Sequence, residues 1–469
     1  MDYVSSRDPH AVTFSFEHVL LDGLARDGGL YLPKSWENLS SVVSNLVECN
    51  YADLTAEIMD PYTGSSFNKK QLRHIAHQSY KNFSHPLIAP LVQLEDNLWI
   101  MELFHGPTLA FKDFALQIVG KLFSTLLQEK NEHITVIGAT SGDTGSAAIE
   151  SLRGLSNISI FILYPEGRIS EVQRRQMTTV KDENVHSIAV QGSFDDCQSL
   201  IKELFQDLKF REEMKLGAVN SINWGRILAQ TAYYWYAQTI LKKKGYENIS
   251  FVVPTGNFGN VFAGWVAVQS GLKTQKLIVA TNENDILPRF FNTGRYKKNT
   301  VISTLSPSMD IQVASNFERL LYYILHCDAL LVRDKMQALS NNSGFSVNSS
   351  QGISGKEMFI GKSISDKETL DTISRIYSET GMLIDPHTAT AVAAADVLKE
   401  KNRKFQNPIV CLSTAHPAKF PLAVEKATGV KPALPDKISD LMDRKERIIQ
   451  LPNDLIKLKE FISVHSSKK

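Results

Sequence analysis

The sequence predicts an α/β protein built on parallel sheets, and two observations support this prediction. From about residue 95 onward, short apolar segments alternate with Gly- or Ser-rich turns and then with segments of helical periodicity. Strands that alternate with helices in this way pair in parallel and carry helices on both faces of the sheet. The second observation is the length, because 469 residues exceed what one hydrophobic core usually serves and favour two or three domains.

Three regions are expected along the chain. Residues 1–92 predict a mostly helical N-terminal domain, which is interrupted at Asp27–Pro33 by paired glycines and a proline. Residues 93–427 predict the α/β domain, and residues 428–469 predict a solvated C-terminal helical tail. The Ser-, Asn- and Gly-rich stretch Leu339–Gly355 predicts a flexible surface loop. The strands expected in the α/β domain are His133–Ile137, Ile158–Leu163, His186–Val190, Ser250–Val253, Lys276–Ala280 and Pro408–Leu412.

Composition and missing motifs exclude several classes of protein. The 51 basic residues nearly balance the 50 acidic ones, so no nucleic-acid partner is indicated. Four separated cysteines without a CxxC pair argue against a disulfide framework or a metal site and favour the cytoplasm. No apolar run approaches the length of about 18 residues needed to cross a membrane, and the N-terminus lacks a secretory pattern. Motifs for nucleoside triphosphates, dinucleotides, zinc peptidases and α/β-hydrolases are also missing.

Three polar loops follow predicted strands: Gly138–Ser146, Pro254–Asn260 and Leu412–Ala418. The first runs into a helix, whose N-terminal N–H groups suit a carboxylate or phosphate, although a capped turn explains it equally well. The glycines of the second favour a nest of N–H groups around a phosphate over a plain turn. The third is by itself a hydroxyl-rich turn. Because carboxyl ends of parallel strands share one edge, the loops are expected to face one crevice with two anion sites.

Lys112 is the candidate reactive group for this crevice. It is the only cation in an apolar segment and is flanked by Phe111. Burial would lower the pKa of the amine and make it available as a nucleophile. The alternative is a lysine that extends from an amphipathic helix into solvent. A lysine that captures a carbonyl cofactor with a phosphate arm indicates pyridoxal 5'-phosphate (PLP).

Together these motifs resemble the threonine synthase family of PLP enzymes. The resemblance covers nearly the whole chain and is carried by 3–7, 24–33, 105–115, 140–147, 221–226, 254–260, 306–319 and 414–420. It implies the two-lobed, parallel-sheet architecture of PLP fold type II, similar to the β-subunit of tryptophan synthase, together with a mostly helical N-terminal domain.

The resemblance also implies roles for individual residues. Lys112 would hold PLP covalently and then shuttle protons, and Thr414 would hydrogen-bond the pyridine nitrogen. The PLP phosphate would be held by Gly256, Asn257, Phe258, Gly259 and Asn260. The substrate would be bound through its carboxylate by Ser141, Asp143 and Thr144 and through its phosphate by Asn220, Ser221 and Arg226. Because a carboxylate would repel the substrate, we expect Asp143 to turn away and accept backbone N–H bonds as a helix cap.

The implied reaction converts O-phospho-L-homoserine and water into L-threonine and phosphate, the last step of threonine biosynthesis. One alternative is a threonine-synthase-like phospho-lyase that releases 2-oxobutyrate. Others are a serine/threonine dehydratase, which needs no second anion site, and a non-catalytic binding module on the same scaffold. Monomer and homodimer are both compatible with the sequence. The resemblance gives no chemical role to four further residues near its motifs, Asp310, Asp385, His387 and His416.

Overall fold

The computed structural model describes residues 1–46, 50–347, 356–401 and 407–466, so residues 348–355 of the predicted surface loop lie outside the described part. The helices are α1 (Phe16–Asp22), α2 (Ser40–Ser44), α3 (Tyr51–Thr63), α4 (Lys69–Tyr80), α5 (Lys112–Lys130), α6 (Asp143–Leu152), α7 (Glu171–Thr178), α8 (Phe194–Gln206), α9 (Leu208–Glu213), α10 (Trp224–Lys243), α11 (Gly259–Gln269), α12 (Ile286–Thr293), α13 (Phe317–Ile324), α14 (Ala329–Ser340), α15 (Asp366–Thr380), α16 (Pro386–Lys401), α17 (Pro421–Thr428) and α18 (Leu455–His465).

The strands are β1 (Tyr3–Ser5), β2 (Tyr31–Pro33), β3 (Leu91–Glu95), β4 (Leu98–Glu102), β5 (Ile134–Ala139), β6 (Ile158–Pro165), β7 (Val185–Gln191), β8 (Leu216–Ala218), β9 (Ile249–Pro254), β10 (Thr274–Thr281), β11 (Arg295–Tyr296), β12 (Phe345–Ser346), β13 (Phe359–Ser363), β14 (Ile409–Ser413) and β15 (Ile449–Pro452). All six predicted strands are present, and their ends differ from the prediction by at most two residues. Strands β3, β4, β8, β13 and β15 also join the two main sheets and were not predicted.

Two sheets form the two lobes that the fold class requires. A five-stranded sheet has the order β15-β7-β6-β5-β8, and every neighbouring pair in it is parallel. A six-stranded sheet has the order β13-β10-β9-β14-β4-β3 and is parallel except for the β3–β4 hairpin at its edge. The prediction of an α/β protein with parallel sheets is therefore confirmed. The antiparallel hairpin was not predicted, because its first strand, β3, precedes the alternating pattern.

Apolar side chains cover both faces of the six-stranded sheet. In β9, Phe251 and Val253 belong to the largest core cluster, while Val252 between them faces a second cluster with residues of α16. Successive side chains of a strand point to opposite faces, so an uninterrupted apolar run requires cover on both sides. Because β9 and β14 pair in parallel, their carboxyl ends lie at the same edge of the sheet.

The N-terminal region contains α1 to α4 and a small two-stranded sheet in which β1 pairs with β2 in antiparallel orientation. The hydroxyl of Tyr3 donates to the carbonyl of Tyr62 over 2.6 Å, and the indole of Trp224 donates to Tyr3 over 3.1 Å. The fully buried Arg319 donates from Nε to the carbonyl of Tyr31 over 2.9 Å. These bonds tie the helical region to the α/β region that contains the predicted site.

The structure corrects the expectation of a solvated tail. Strand β15 extends the five-stranded sheet by pairing in parallel with β7. Helix α18 buries Leu458 and Ile462, which are 1% and 0% exposed, in a cluster with α8. These residues are four positions apart and therefore share one face of the helix. The mixed charges around them lie on the other faces, which is why composition alone suggested a solvated segment.

Candidate active site

Local backbone geometry places Lys112 at the first position of α5. The preceding turn passes through Leu109, which has φ of +61°, a left-handed conformation that is costly for a leucine. The buried carboxylate of Asp113 holds this turn, since it accepts from the N–H of Thr108 over 2.8 Å and from its hydroxyl over 2.7 Å. Gly106 is required beside them, because a Cβ there would overlap the Asp113 side chain.

Lys112 ends in a network of charges. Its Nζ lies 3.1 Å from Oδ2 of Asp143, and its side chain is only 12% exposed. The other oxygen of Asp143, Oδ1, lies 2.8 Å from Nζ of Lys419 and accepts from Nε2 of Gln173 over 2.8 Å. The expectation that Asp143 turns away as a helix cap is therefore wrong. Helix capping is a local interaction, whereas the partners of Asp143 come from distant parts of the chain.

The environment shifts the pKa of both members of the pair. Burial lowers the pKa of Lys112, and this effect outweighs the stabilising charge of Asp143. Burial opposes ionisation of Asp143 as well, but Lys112 and Lys419 more than offset it and hold the pKa of Asp143 well below its ordinary value. The predicted desolvation of Lys112 is confirmed, although its neighbours include charged groups that the apolar segment did not reveal.

The third polar loop is joined directly to the Lys112 segment. The N–H of Phe111 donates to the carbonyl of Thr414 over 2.9 Å, and Ala110 and Ala415 form an isolated antiparallel bridge. Thr414 is 6% exposed and directly follows β14. The end of this strand therefore stands beside the first turn of α5.

The second loop leads into α11 through Phe258, which is buried and has φ of +63°. Asn257 is exposed on the loop, and Gly259 is the first residue of the helix. A Cβ at Gly256 would overlap the carbonyl oxygen of Ser308, so the close approach of these two segments requires glycine. The loop thus presents backbone N–H groups at a helix N-terminus, as an anion site requires.

Asn260 adds a directed donor to this loop. Its Oδ1 accepts from the hydroxyls of Tyr233 over 2.6 Å and Tyr234 over 2.8 Å. Its buried Nδ2 has no hydrogen-bond partner within the described residues. Two tyrosines therefore fix the amide and leave a donor for a ligand. An orphaned donor beside a helix N-terminus fits the phosphate of PLP.

Residues next to this loop form a second candidate anion site. Asn316 links this site to the second loop, because its Nδ2 donates to the carbonyl of Ser221 and to that of Asn257, over 3.0 Å each. Arg226, in the first turn of α10, is 3% exposed, and its Nε and Nη1 find no partner in the described part of the chain. Burial lowers the pKa of Arg226 to about 10. A buried guanidinium with unsatisfied donors is unstable unless an anion binds to it.

The remaining predicted positions differ in exposure. Ser141 is exposed at the end of the first loop, while Thr144 and Asn220 are half-buried. Gly142, which has φ of +138°, lies against the Gln173 side chain. The N–H groups of Gly142 and Gly145 both donate to the hydroxyl of Thr140 over 2.9 Å, which closes the turn into α6.

Sequence reasoning missed two residues of the site region, Lys419 and Gln173, and named His387 without assigning it a role. Nδ1 of His387 lies 2.9 Å from Oδ1 of Asp385, and its Nε2 accepts from the N–H of Ser308 over 3.2 Å. It therefore supports the segment that packs on Gly256. Lys419 lies within 414–420, one of the segments that carry the family resemblance. Nothing in the neighbouring sequence, however, indicates that its partner is Asp143.

These features together define a PLP-dependent enzyme of fold type II. Family comparisons agree, because three models match the chain. "Threonine synthase N terminus" matches residues 2–80, "Pyridoxal-phosphate dependent enzyme" matches 85–354, and "Threonine synthase, C-terminal" matches 388–462.

Full-length relatives narrow the class further. The threonine synthase of Pseudomonas aeruginosa is 46% identical and covers 100% of this chain and 99% of its own length. The threonine synthase of Saccharomyces cerevisiae is 42% identical and covers 95% of this chain and 94% of its own length. The crystal structure of PLP-bound threonine synthase from Brucella melitensis superposes with a TM-score of 0.95, at 44% identity and 100% coverage of both chains.

The chain belongs to the threonine synthase family. It is a PLP-dependent lyase with threonine synthase activity, and PLP is its cofactor. The resemblance seen in the sequence, the fold type and the cofactor are all confirmed. No helix in the described ranges is long and apolar enough to cross a membrane.

Proposed function

We propose that the substrate is O-phospho-L-homoserine, that phosphate leaves its Cγ and that water adds at its Cβ to give L-threonine. The observation that supports this choice is Arg226, a buried guanidinium with two unsatisfied donors next to the loop that fits the cofactor phosphate. Two neighbouring anion sites need two anions. A serine or threonine substrate has no second anionic group for Arg226, which argues against the dehydratase alternative.

In this proposal, the cofactor is bound by the second loop, by Lys112 and by the third loop. Gly256, Asn257, Phe258, Gly259 and Asn260 would hold the phosphate of PLP, and the amine of Lys112 would hold the cofactor covalently. Thr414, which follows β14, would hydrogen-bond the pyridine nitrogen. When bound, PLP supplies the electron sink for proton removal from the substrate carbons.

The substrate is held at its two anionic ends. Arg226 binds the phosphate as a forked cation, with Ser221 and Asn220 beside it. Ser141 and Thr144, at the N-terminus of α6, bind the α-carboxylate. Asp143 does not contact the substrate in this proposal. Its carboxylate instead faces Lys112 and Lys419.

The amine of Lys112 moves the protons. The conversion removes protons at Cα and Cβ and releases phosphate from Cγ. It then returns protons to Cγ and Cα and adds the hydroxyl of water at Cβ, while the other proton of water leaves with the phosphate. A buried amine with a lowered pKa can accept and return protons near neutral pH. Because its side chain is only 12% exposed, the surrounding protein limits the access of bulk water.

The domain division 1–92, 93–427 and 428–469 is part of this proposal. Strand β3, which begins at Leu91, joins the six-stranded sheet and supports a boundary near residue 92. The pairing of β15 with β7 makes the C-terminal segment an extension of the five-stranded lobe. The described cysteines, Cys197, Cys327 and Cys411, are free, which supports a location in the cytoplasm.

Product analysis tests the proposal. The purified protein is incubated with PLP and O-phospho-L-homoserine, and phosphate, threonine and 2-oxobutyrate are quantified together. We expect equal amounts of phosphate and threonine. Phosphate matched by 2-oxobutyrate would identify a phospho-lyase, and no phosphate from folded, PLP-loaded protein would refute the role of Arg226.

A further inference from the structure

Lys419 has no part in the binding and proton transfers described above. Its side chain is 0% exposed, and its Nζ lies 2.8 Å from Oδ1 of Asp143. The same Nζ donates to the carbonyl of Thr108 over 2.7 Å. A lysine is rarely fully buried unless it is paired, so this side chain requires a reason.

The two oxygens of Asp143 serve different cations. Oδ2 faces Lys112 at 3.1 Å, and Oδ1 faces Lys419 at 2.8 Å. A buried carboxylate with a single ammonium partner strongly favours the protonated form of that partner. A second cation on the same carboxylate reduces this preference, because it neutralises the anion and repels the first ammonium.

This weaker preference for the protonated form matters for Lys112, because only an unprotonated amine attacks a carbonyl carbon. We infer that Lys419 is a positioning residue that serves as the counter-ion of Asp143, so that Asp143 does not hold Lys112 in its protonated form. This inference rests on the proposed role of Lys112 as the amine that holds the cofactor. It assigns Lys419 no contact with the reacting atoms.

The charges around Lys112 are compatible with this role. The groups that act on its ammonium are Asp143 on α6, Lys419 in the turn before α17 and Arg226 on α10. Burial lowers the pKa of Lys112 most, Asp143 raises it, and Lys419 and Arg226 lower it further. On the same helix, the carboxylate of Asp113 is turned to Thr108.

The backbone holds Lys419 independently of its charge. It ends the short 3₁₀ turn Pro417–Lys419, and its N–H donates to the carbonyl of His416 over 3.0 Å. The carbonyl of Thr108 also accepts from Nε2 of Gln176 over 3.1 Å. Loss of the lysine head group therefore leaves Thr108 with a partner, and a neutral side chain can be tested at this position.

The test measures the reactivity of Lys112 in the full-length apoprotein. Acetic anhydride is applied over a range of pH, and mass spectrometry compares acetylation of Lys112 with that of the exposed Lys242 as an internal standard. We expect Lys419→Met to slow the labelling of Lys112 at pH 7 about tenfold or more. Lys419→Arg, which keeps the charge, should label at nearly the wild-type rate.

A double variant separates this role from a merely structural one. In Lys419→Met/Asp143→Asn the opposing charge is removed as well, so Lys112 should again be labelled at least as fast as in the wild type. If Lys419→Met does not fold, as judged by circular dichroism, Lys419→Gln replaces it in both proteins. Unchanged labelling in the single variant, or no recovery in the double variant, would overturn the inference.

The role of Lys112 itself is checked separately. Wild-type protein is reduced with borohydride in the presence of PLP, and the modified lysine is identified by mass spectrometry. Attachment at Lys112 supports the basis of the inference. Attachment at another lysine would refute the proposed function and remove the reason for the inference, even if the labelling series follows the expected pattern.

Discussion

Replacing Arg226 by methionine should stabilise the ligand-free protein while removing most of its activity. The side chain is 3% exposed, and its Nε and Nη1 have no partner in the described residues. Burial lowers the pKa of Arg226 to about 10, and because these two donors are unsatisfied, no hydrogen bond there offsets the loss of water around the charge. Arg226→Met removes that charge and fills similar space. We expect the free energy of unfolding to rise by about 2 kcal/mol.

The effect on catalysis should be opposite in sign. A buried, charge-assisted interaction between a guanidinium and a phosphate contributes about 2–4 kcal/mol. If Arg226 binds the substrate phosphate, its loss should lower kcat/KM by about 30- to 1,000-fold. Phosphate release from O-phospho-L-homoserine gives this quantity, and thermal and denaturant unfolding of the apoproteins give the stability.

Arg319→Met is the matched control. Arg319 is also fully buried, but it donates to the carbonyls of Tyr31 over 2.9 Å and Ile222 over 2.6 Å. It donates to Oδ1 of Asn316 as well. Its loss leaves buried acceptors unpaired, so Arg319→Met should destabilise the protein by about 3 kcal/mol.

Two results would refute this reasoning. If Arg226→Met unfolds as readily as Arg319→Met, then Arg226 has a partner within the protein and is not waiting for an anion. If Arg226→Met keeps the wild-type kcat/KM, the substrate phosphate binds elsewhere.

Three further predictions concern the cofactor loop, the pH dependence of stability and the tail. Gly256→Ala should weaken PLP binding tenfold or more, because the new Cβ would push the loop away from Ser308; a spectroscopic titration with an unchanged Kd would contradict this. Burial lowers the pKa of His186 to about 4. Between about pH 6.5 and pH 4 the unfolded chain therefore binds a proton that the folded chain does not, so the free energy of unfolding falls as the pH is lowered through this range. His186→Phe should therefore raise Tm more at pH 5 than at pH 8, and an equal difference at both pH values would exclude His186 as the cause. Ile462→Ala should cost about 3 kcal/mol in chemical unfolding, whereas the control Val464→Ala, at a position that is 77% exposed, should change stability by less than about 0.5 kcal/mol; equal effects would mean that α18 does not stabilise the fold.

The sequence by itself predicted six strands of the two main sheets and the polar loops that follow three of them. The apolar run of β9 and the glycines at Gly256 and Gly259 are local signals, because strand formation and tight turns depend on neighbouring residues. Lys112 stood out for the same reason, as one cation within an apolar segment. Since parallel strands end at one edge, the sequence also predicted that these loops meet.

Tertiary structure alone decided which charges meet. Asp143 looked like a helix cap because capping involves only nearby N–H groups, yet its carboxylate lies between two lysines from other parts of the chain. Lys419 contacts Thr108, which is 311 residues away in the sequence. Strand β15 likewise pairs with β7, which is also distant in the sequence. Such pairings depend on which surfaces are buried together and which charges lose their water, and a single sequence has no local pattern for either.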